Sequence, residues 1–286
     1  MVKLSVAIAT FNEEENIGDC LKSVKGLADE IVIVDGQSAD KTAQIAKSFG
    51  AKVAEVPNEQ MFHKMKQRAF NLCRGEWILY IDADERVSSE LADEIKKVIS
   101  IDEKELENYE ARLQNKQLFL RHQKILEGRD GLIGDSSKGY CAFFFPRTNY
   151  FLGKFLRYGG VYPDGVIRLF KRGSAYLPCR DIHEQMVVKG RVGWLQHDLL
   201  HIADPNFGRY LKRNSRYIDL LAGDLKKGKV GKNPVQSVNF FVVKPLGWFF
   251  LTQFRHKGIL DGFPGIIFSF FSALRFPRAY WRYLIG

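Results

Sequence analysis

The first hundred residues alternate between two hydrophobic rhythms. "LSVAIAT" (4–10) and "EIVIVDG" (30–36) are near-continuous apolar runs rich in small and β-branched residues, the pattern of strands buried on both faces. Between them, "EEENIGDCLKSVKGL" spaces Ile17, Leu21 and Val24 as one face of a helix. "DKTAQIAKSFG" predicts a helix closed by Gly50, "AKVAEVP" a third strand, and "FHKMKQRAFNLCRG" a helix. "EWILYID" predicts a fourth strand and "SSELADEIKKVIS" a fourth helix. This alternation implies parallel βαβ units with helices on both faces of the sheet. Ligands of such sheets sit at the carboxyl ends of the strands. Here those ends read "TFNEE", "DGQSADKT" and "DADE", so polar residues gather where the fold would put a site.

The pattern then changes. Residues 101–135 are highly charged and predict one or two helices with a solvated face. Residues 136–200 turn to Gly, Pro, Tyr and Phe with short extended runs ("YCAFFFP", "GVIRLFK", "AYLP", "EQMVVKG"), which predict added strands on one side of the site. From 201 to 286 the chain is helical again and ends in apolar stretches broken by Pro, Gly and charge. The expected division is therefore a front domain over 1–200 and a C-terminal region over 201–286. Within the former, 1–100 would be the βαβ half, 101–135 a helical insertion and 136–200 the half with added strands.

Charge sharpens that division. The net charge is +10 overall, and residues 201–286 alone carry 14 Lys/Arg against 4 Asp/Glu, leaving the first 200 residues neutral. The same last segment holds 17 of the 37 aromatics, so a neutral front and a basic, aromatic tail imply two tasks. The four cysteines are widely spaced without a CxxC pair, which argues against a zinc ribbon and fits a reducing compartment. The N-terminal apolar stretch is too short for a signal peptide, and no uncharged run reaches the ~18 residues of a spanning helix. A cytoplasmic protein is expected.

Three strand ends carry candidate chemistry. Asp82 and Asp84, two residues apart in an extended segment, would share a face and converge on a hard cation completed by diphosphate oxygens. The competing reading is that Asp84 or Ser88 caps the helix beginning near Ser89. Asp35 closes strand two, where a carboxylate can accept from the N3–H of a uracil ring. Ser38, Asp40 and Thr42 follow it, and Ser38 or Asp40 equally suits a helix cap. Thr10, Asn12 and Glu13 form the third group.

Together "SVAIATFNEEENI", "IVIVDGQSADKT" and "RGEWILYIDADERVS" resemble the nucleotide-sugar motifs of family 2 glycosyltransferases. "YPDGVIRLFKRG", "DIHEQMVVKG", "LLHIADPNFGRYLKRNSRYIDLLA" and the tail extend the likeness to bacterial lipopolysaccharide-core β-1,4-glucosyltransferase-type enzymes. The resemblance implies a GT-A fold: a Rossmann-like, mostly parallel α/β sheet, with 1–200 as the catalytic domain (1–100 the nucleotide-sugar half, 136–200 the acceptor side) and a C-terminal helical, membrane-associating extension. It implies that Asp35 contacts uracil, with Thr10, Asn12, Glu13 and Ser38 around the nucleoside. Asp82 would lie near ribose or sugar, and Asp84, with Asp82, would bind Mg²⁺ or Mn²⁺. Glu184 matches the catalytic base position, with Asp181 as competitor; such a base takes the acceptor hydroxyl proton as that oxygen attacks C1. His201 would join the metal shell or be structural, and Arg168 would hold diphosphate or acceptor, or pair with a neighbouring acid.

The expected function is an inverting, metal-dependent transfer of a hexose, glucose first, from a UDP-sugar to a glycan or lipid-linked acceptor of the cell envelope. GDP- or dTDP-sugars on a polyprenyl phosphate or protein acceptor are the alternative. The tail suits an anionic membrane surface at the inner face of the plasma membrane, or else a homo-oligomer interface or small helical core. A nucleic-acid surface is the reading of another class, and acids at three strand ends argue against it for the front domain. "HEQMV" lacks the second histidine of a zincin. Arg86 stands where a haloacid dehalogenase phosphatase needs Thr or Val, and acidic "TFNEEEN" replaces the glycine-rich loop of a nucleotidyltransferase.

Overall fold

The computed structural model describes residues 2–180, 185–204 and 206–286. It divides into two compact units, residues 1–147 with 163–201, and residues 148–162 with 202–286. The hairpin 148–162, expected in the catalytic domain, thus clusters with the C-terminal unit.

In the first unit, β1 (Leu4–Thr10), β2 (Glu30–Asp35), β3 (Lys52–Glu55) and β4 (Trp77–Tyr80) are parallel neighbours in the order β3-β2-β1-β4. Helices α1 (Glu14–Val24), α2 (Thr42–Ser48) and α3 (Phe62–Leu72) connect them as expected. Alternate residues of β1 face opposite ways, as the pleat requires. Leu4, Val6 and Ile8 pack with Ile17, Leu21 and Val24 of α1, and Ala7 and Ala9 pack with Met65, Ala69 and Phe70 of α3.

Beyond β4 the sheet changes sense. It continues through β5 (Glu85–Val87), β6 (Tyr140–Phe151), β8 (Asp164–Lys171), β11 (Arg191–Trp194) and β12 (Leu199–His201), while β9 (Ala175–Tyr176) and β10 (Val187–Val188) form a separate ribbon. Strand β8 pairs antiparallel with both β4 and β6. The charged stretch forms two helices, α5 (Glu103–Ala111) and α6 (Lys116–Asp130), after α4 (Ser89–Val98). Helix α5 starts with a capping box, Asp102 accepting from the Glu105 N–H and the Glu105 carboxylate from that of Asp102. Trp194 stacks between Phe119 of α6 and Phe144 of β6 at 4.7 and 4.6 Å, and its Nε1 donates to Gln123 at 3.1 Å. A Cβ at Gly165 would stand 2.4 Å from the Trp194 ring, which is why β8 carries glycine as its second residue.

The second unit holds the end of β6 paired with β7 (Lys154–Leu156), then α7 (Phe207–Lys227), α8 (Pro234–Val238), α9 (Lys244–Phe250), α10 (Phe263–Ala273) and α11 (Arg275–Ile285). Asn206 caps α7 by accepting from the Arg209 N–H. Two π-helical segments, Asn239–Val243 and Leu251–Arg255, flank α9. Small cores form around Phe151, Leu156 and Tyr210, and around Ile218, Phe240 and Tyr280. No helix among the described residues is long and apolar enough to cross a membrane.

Candidate active site

Parallel pairing sets the ends of β2, β1 and β4 side by side, about 4.8 Å apart. Thr10 and Asp35 are register partners at the last rung of β1 and β2. The Asp35 carboxylate is fully buried and accepts from Thr10 Oγ1 at 2.8 Å, Ser38 Oγ at 2.7 Å and the Ser38 N–H at 2.8 Å. The loops after β1 and β2 are laced together. Asn12, at φ 55°, receives Ala39 N–H on its Oδ1 and donates its own N–H to Ser38 Oγ. Glu13 N–H donates to Thr42 Oγ1, and the Asp40 carboxylate accepts from the N–H groups of Glu14 and Thr42. Asp40 therefore serves the first turn of α1 as well as its own loop, and α2 begins without a side-chain cap. The structure brings Thr10, Asn12, Glu13, Asp35 and Ser38 together as the sequence implies.

Asp82 and Asp84 lie in the turn between β4 and β5, not in an extended strand, and their side chains take different partners. Asp82 lies 2.7 Å from the Lys66 ammonium and accepts from Arg168 Nη2 at 2.7 Å. Asp84 Oδ2 lies 3.3 Å from His201 Nε2. The three-residue strand β5 places that histidine: it pairs antiparallel with β12, setting His201 opposite Glu85. Helix capping falls to Ser88, whose Oγ accepts from the Leu91 N–H, so Asp84 is not the cap. Both aspartates stay open to solvent, at 25% and 22% side-chain exposure.

Around them is a charge network the sequence reading missed. Lys66 occupies the inward face of α3 beside Met65, Ala69 and Phe70; its ammonium donates to the Tyr80 hydroxyl. The only sequence signal was its place in the apolar stripe of that helix. Arg168 Nη2 also donates to Glu85 at 2.6 Å, and its guanidinium lies 4.1 Å from the Tyr80 ring centroid. Arg147 Nη1 donates to Glu85 at 3.0 Å while its Nε and Nη2 reach Asp164 at 2.9 and 2.6 Å. Arg86 donates to the carbonyls of Ala83, Glu85 and Asn16.

Glu85 is fully buried between Arg168 and Arg147. Lys66, Arg168 and Arg147 together oppose Asp82, Glu85 and Asp164, so the acids of this turn are already balanced within the protein. Arg168 follows the alternative of pairing with neighbouring acids.

Burial opposes ionisation of Asp82, but the Lys66 ammonium and then Arg168 outweigh it and hold the carboxyl well below the usual carboxylate range. Asp84 is lowered too, its burial outweighed by the hydrogen bond and charge of His201. Both are anions at neutral pH. No three His, Cys, Asp or Glu side chains converge as a ready-made metal cage among the described residues. Asp84 and His201 supply two adjacent donors, which suits a divalent cation that keeps water and substrate phosphate in its shell. Asp181 and Glu184, the candidates for the base, lie outside the described residues.

Comparison with known proteins bears on this arrangement. The model of Glycosyl transferase family 2 matches residues 5–174. An uncharacterized glycosyltransferase of Rickettsia bellii is 44% identical over 100 residues, 34% of this chain and 33% of that protein. The chain thus spans about a third of the length of the first curated relatives it matches. A lipopolysaccharide core biosynthesis glycosyltransferase, LpsC of Rhizobium meliloti, is 25% identical over 294 residues, covering 95% of this chain and 91% of that one. Among solved structures, glucosyl-3-phosphoglycerate synthase of Mycobacterium tuberculosis with Mn²⁺, UDP and glucosyl-3-phosphoglycerate is 26% identical over 29% of this chain and 34% of that one, at a TM-score of 0.27.

Proposed function

Because the chain belongs to glycosyl transferase family 2 and is a glycosyltransferase of GT-A fold, we propose that it moves a hexose, glucose first, from a UDP-sugar to a cell-envelope acceptor with inversion. The observation that carries this reading is the convergence of two groups at neighbouring strand ends, Thr10–Asp35–Ser38 and Asp82–Asp84–His201. The first suits a nucleoside, with Asn12 and Glu13 beside it. The second suits a diphosphate and its cation, on the carboxyl edge where such sheets bind ligands. The likeness to the Rhizobium meliloti lipopolysaccharide core enzyme along nearly its whole length supports a lipopolysaccharide-core acceptor.

In the transfer, the acceptor oxygen forms its bond to C1 as the C1–O bond to the diphosphate breaks, and the hydroxyl proton passes to Glu184. Attack opposite the leaving group inverts the anomeric centre. Asp84 and His201, with Asp82 adjacent, would hold Mg²⁺ or Mn²⁺, which neutralises charge developing on the diphosphate. Lys66 and Arg168 position the Asp82 carboxylate and keep it ionised.

A thermal-shift screen of UDP-, GDP- and dTDP-sugars with each cation tests the reading. UDP-glucose with Mn²⁺ raises Tm, and Asp84→Ala removes the metal-dependent part of the shift. A shift only with GDP- or dTDP-sugars transfers the assignment to those donors, and a metal-dependent shift that survives Asp84→Ala rules out the metal role.

The C-terminal unit supports an anionic membrane surface as partner, and with it a place on the inner face of the plasma membrane. Of 29 exposed large hydrophobic residues among the described residues, 17 fall between Val235 and Ile285, among them Leu246, Phe250, Phe254 and Phe263. The single acid of that stretch, Asp261, is buried, accepting from the Arg157 and Tyr158 N–H groups. An apolar surface whose Lys and Arg outnumber its acids suits anionic headgroups and disfavours pairing with its own copy. The protein is expected to sediment with phosphatidylglycerol-containing vesicles far more than with phosphatidylcholine alone, and Phe254→Glu with Leu246→Glu reduces this about tenfold or more. Equal sedimentation of parent and variant, or a dimer in place of vesicle binding, excludes this surface as the membrane contact.

A further inference from the structure

The acidic turn holds a buried carboxylate, Glu85, that no part of the transfer uses. Glu85 is fully buried, and its two oxygens face different partners. Oε1 accepts from Arg168 Nη2 at 2.6 Å and Arg147 Nη1 at 3.0 Å, while Oε2 accepts from the backbone N–H of Asp82 at 2.9 Å. The Glu85 N–H donates back to the Asp82 carbonyl at 2.9 Å, so the four residues Asp82–Glu85 are closed by reciprocal bonds.

We propose that Glu85 is a positioning residue: it fixes the Asp82–Asp84 turn and engages two guanidiniums that otherwise crowd the Asp82 carboxylate. Three cations, Lys66, Arg147 and Arg168, face three carboxylates, Asp82, Glu85 and Asp164. Glu85 takes both guanidiniums on one oxygen and Asp164 takes Arg147. Asp82 keeps a quarter of its side chain exposed despite two cations at 2.7 Å. Without the Glu85 charge, the nearest remaining anion for Arg168 is Asp82.

The amide replacement isolates this role. A carboxylate presents acceptors on both sides; glutamine presents one acceptor and one donor pair. In Glu85→Gln the oxygen goes to the charged guanidiniums, and the NH₂ is set against the Asp82 N–H. The turn then loses its closing bond although nearly the same volume is filled. Glu85→Asp keeps the charge but is one methylene short of serving the guanidiniums and the amide together.

Hydrogen–deuterium exchange on the ligand-free protein tests this. In Glu85→Gln the peptide spanning residues 80–86 exchanges about tenfold faster or more, while peptides from β1 and β2 keep their rates. Glu85→Asp gives a smaller acceleration in the same peptide, and it decides the matter if the glutamine variant does not fold. Unchanged exchange at 80–86 in a folded variant, or acceleration spread evenly through the sheet, overturns the proposal. A second readout rests on the proposed UDP-sugar and cation site: Glu85→Gln weakens Mn²⁺ binding to the UDP complex about tenfold, with metal-free UDP binding retained. Loss of both together marks a merely structural role and overturns the proposal. If the parent protein binds no Mn²⁺–UDP, the donor reading falls, and the exchange measurement still decides the role of Glu85.

Discussion

Replacing Arg168 with methionine lowers the folding stability by about 3–5 kcal/mol, the cost of removing one partner from a buried ion network. The guanidinium is 5% exposed and serves Asp82 at 2.7 Å and Glu85 at 2.6 Å. Burial works against its charge, but Glu85, Tyr80 and Asp82 more than compensate and hold its pKa well above the ordinary arginine value. Methionine fills much of the space and supplies neither charge nor donor. Glu85 is then left with Arg147, and Asp82 with Lys66. Arg168→Lys recovers only part of the loss, because one ammonium cannot present the guanidinium's planar fork. Urea unfolding of parent and variants measures the difference; a loss below about 1 kcal/mol would show that the network is balanced without Arg168.

The largest catalytic effect is expected at Glu184. Glu184→Gln lowers kcat by about 10²–10⁴-fold, the usual contribution of a positioned general base, and leaves donor binding unchanged. In the parent enzyme kcat/KM falls as the pH drops through the pKa of the free base; the variant loses that acidic limb. Asp181→Asn is the control. If it carries the loss and Glu184→Gln turns over near normally, the base is Asp181. A fall in donor binding in step with kcat would assign Glu184 to the donor side instead.

How far the sequence revealed this molecule depended on the distance over which the information was held. The parallel half was legible because each buried strand announces itself by an unbroken apolar run, and each helix by its own spacing. Strands β5 and β12 were not legible: each has three residues, and β5 is the edge of the sheet, paired with β12 from more than a hundred residues away. That pairing brings His201 to Asp84, a contact that exists only in three dimensions. Lys66 was hidden because a buried ammonium on an apolar helix face is stabilised by partners on β4 and in the turn beyond it. The same holds for Arg147 and Asp164. Charges that cancel across the fold look, along the chain, like charges in need of a ligand.

The laced loops after β1 and β2 carry a thermodynamic consequence. Asn12, Glu13 and Glu14 on one side and Ser38, Ala39, Asp40, Lys41 and Thr42 on the other are joined by five cross-loop hydrogen bonds. The conformational entropy of both segments is therefore lost when the chain folds, not when a nucleotide arrives. A base entering there meets a wall already in its final shape. Its binding should show a small entropic penalty and a heat-capacity change set by the surface it covers, without the larger change that accompanies loop ordering.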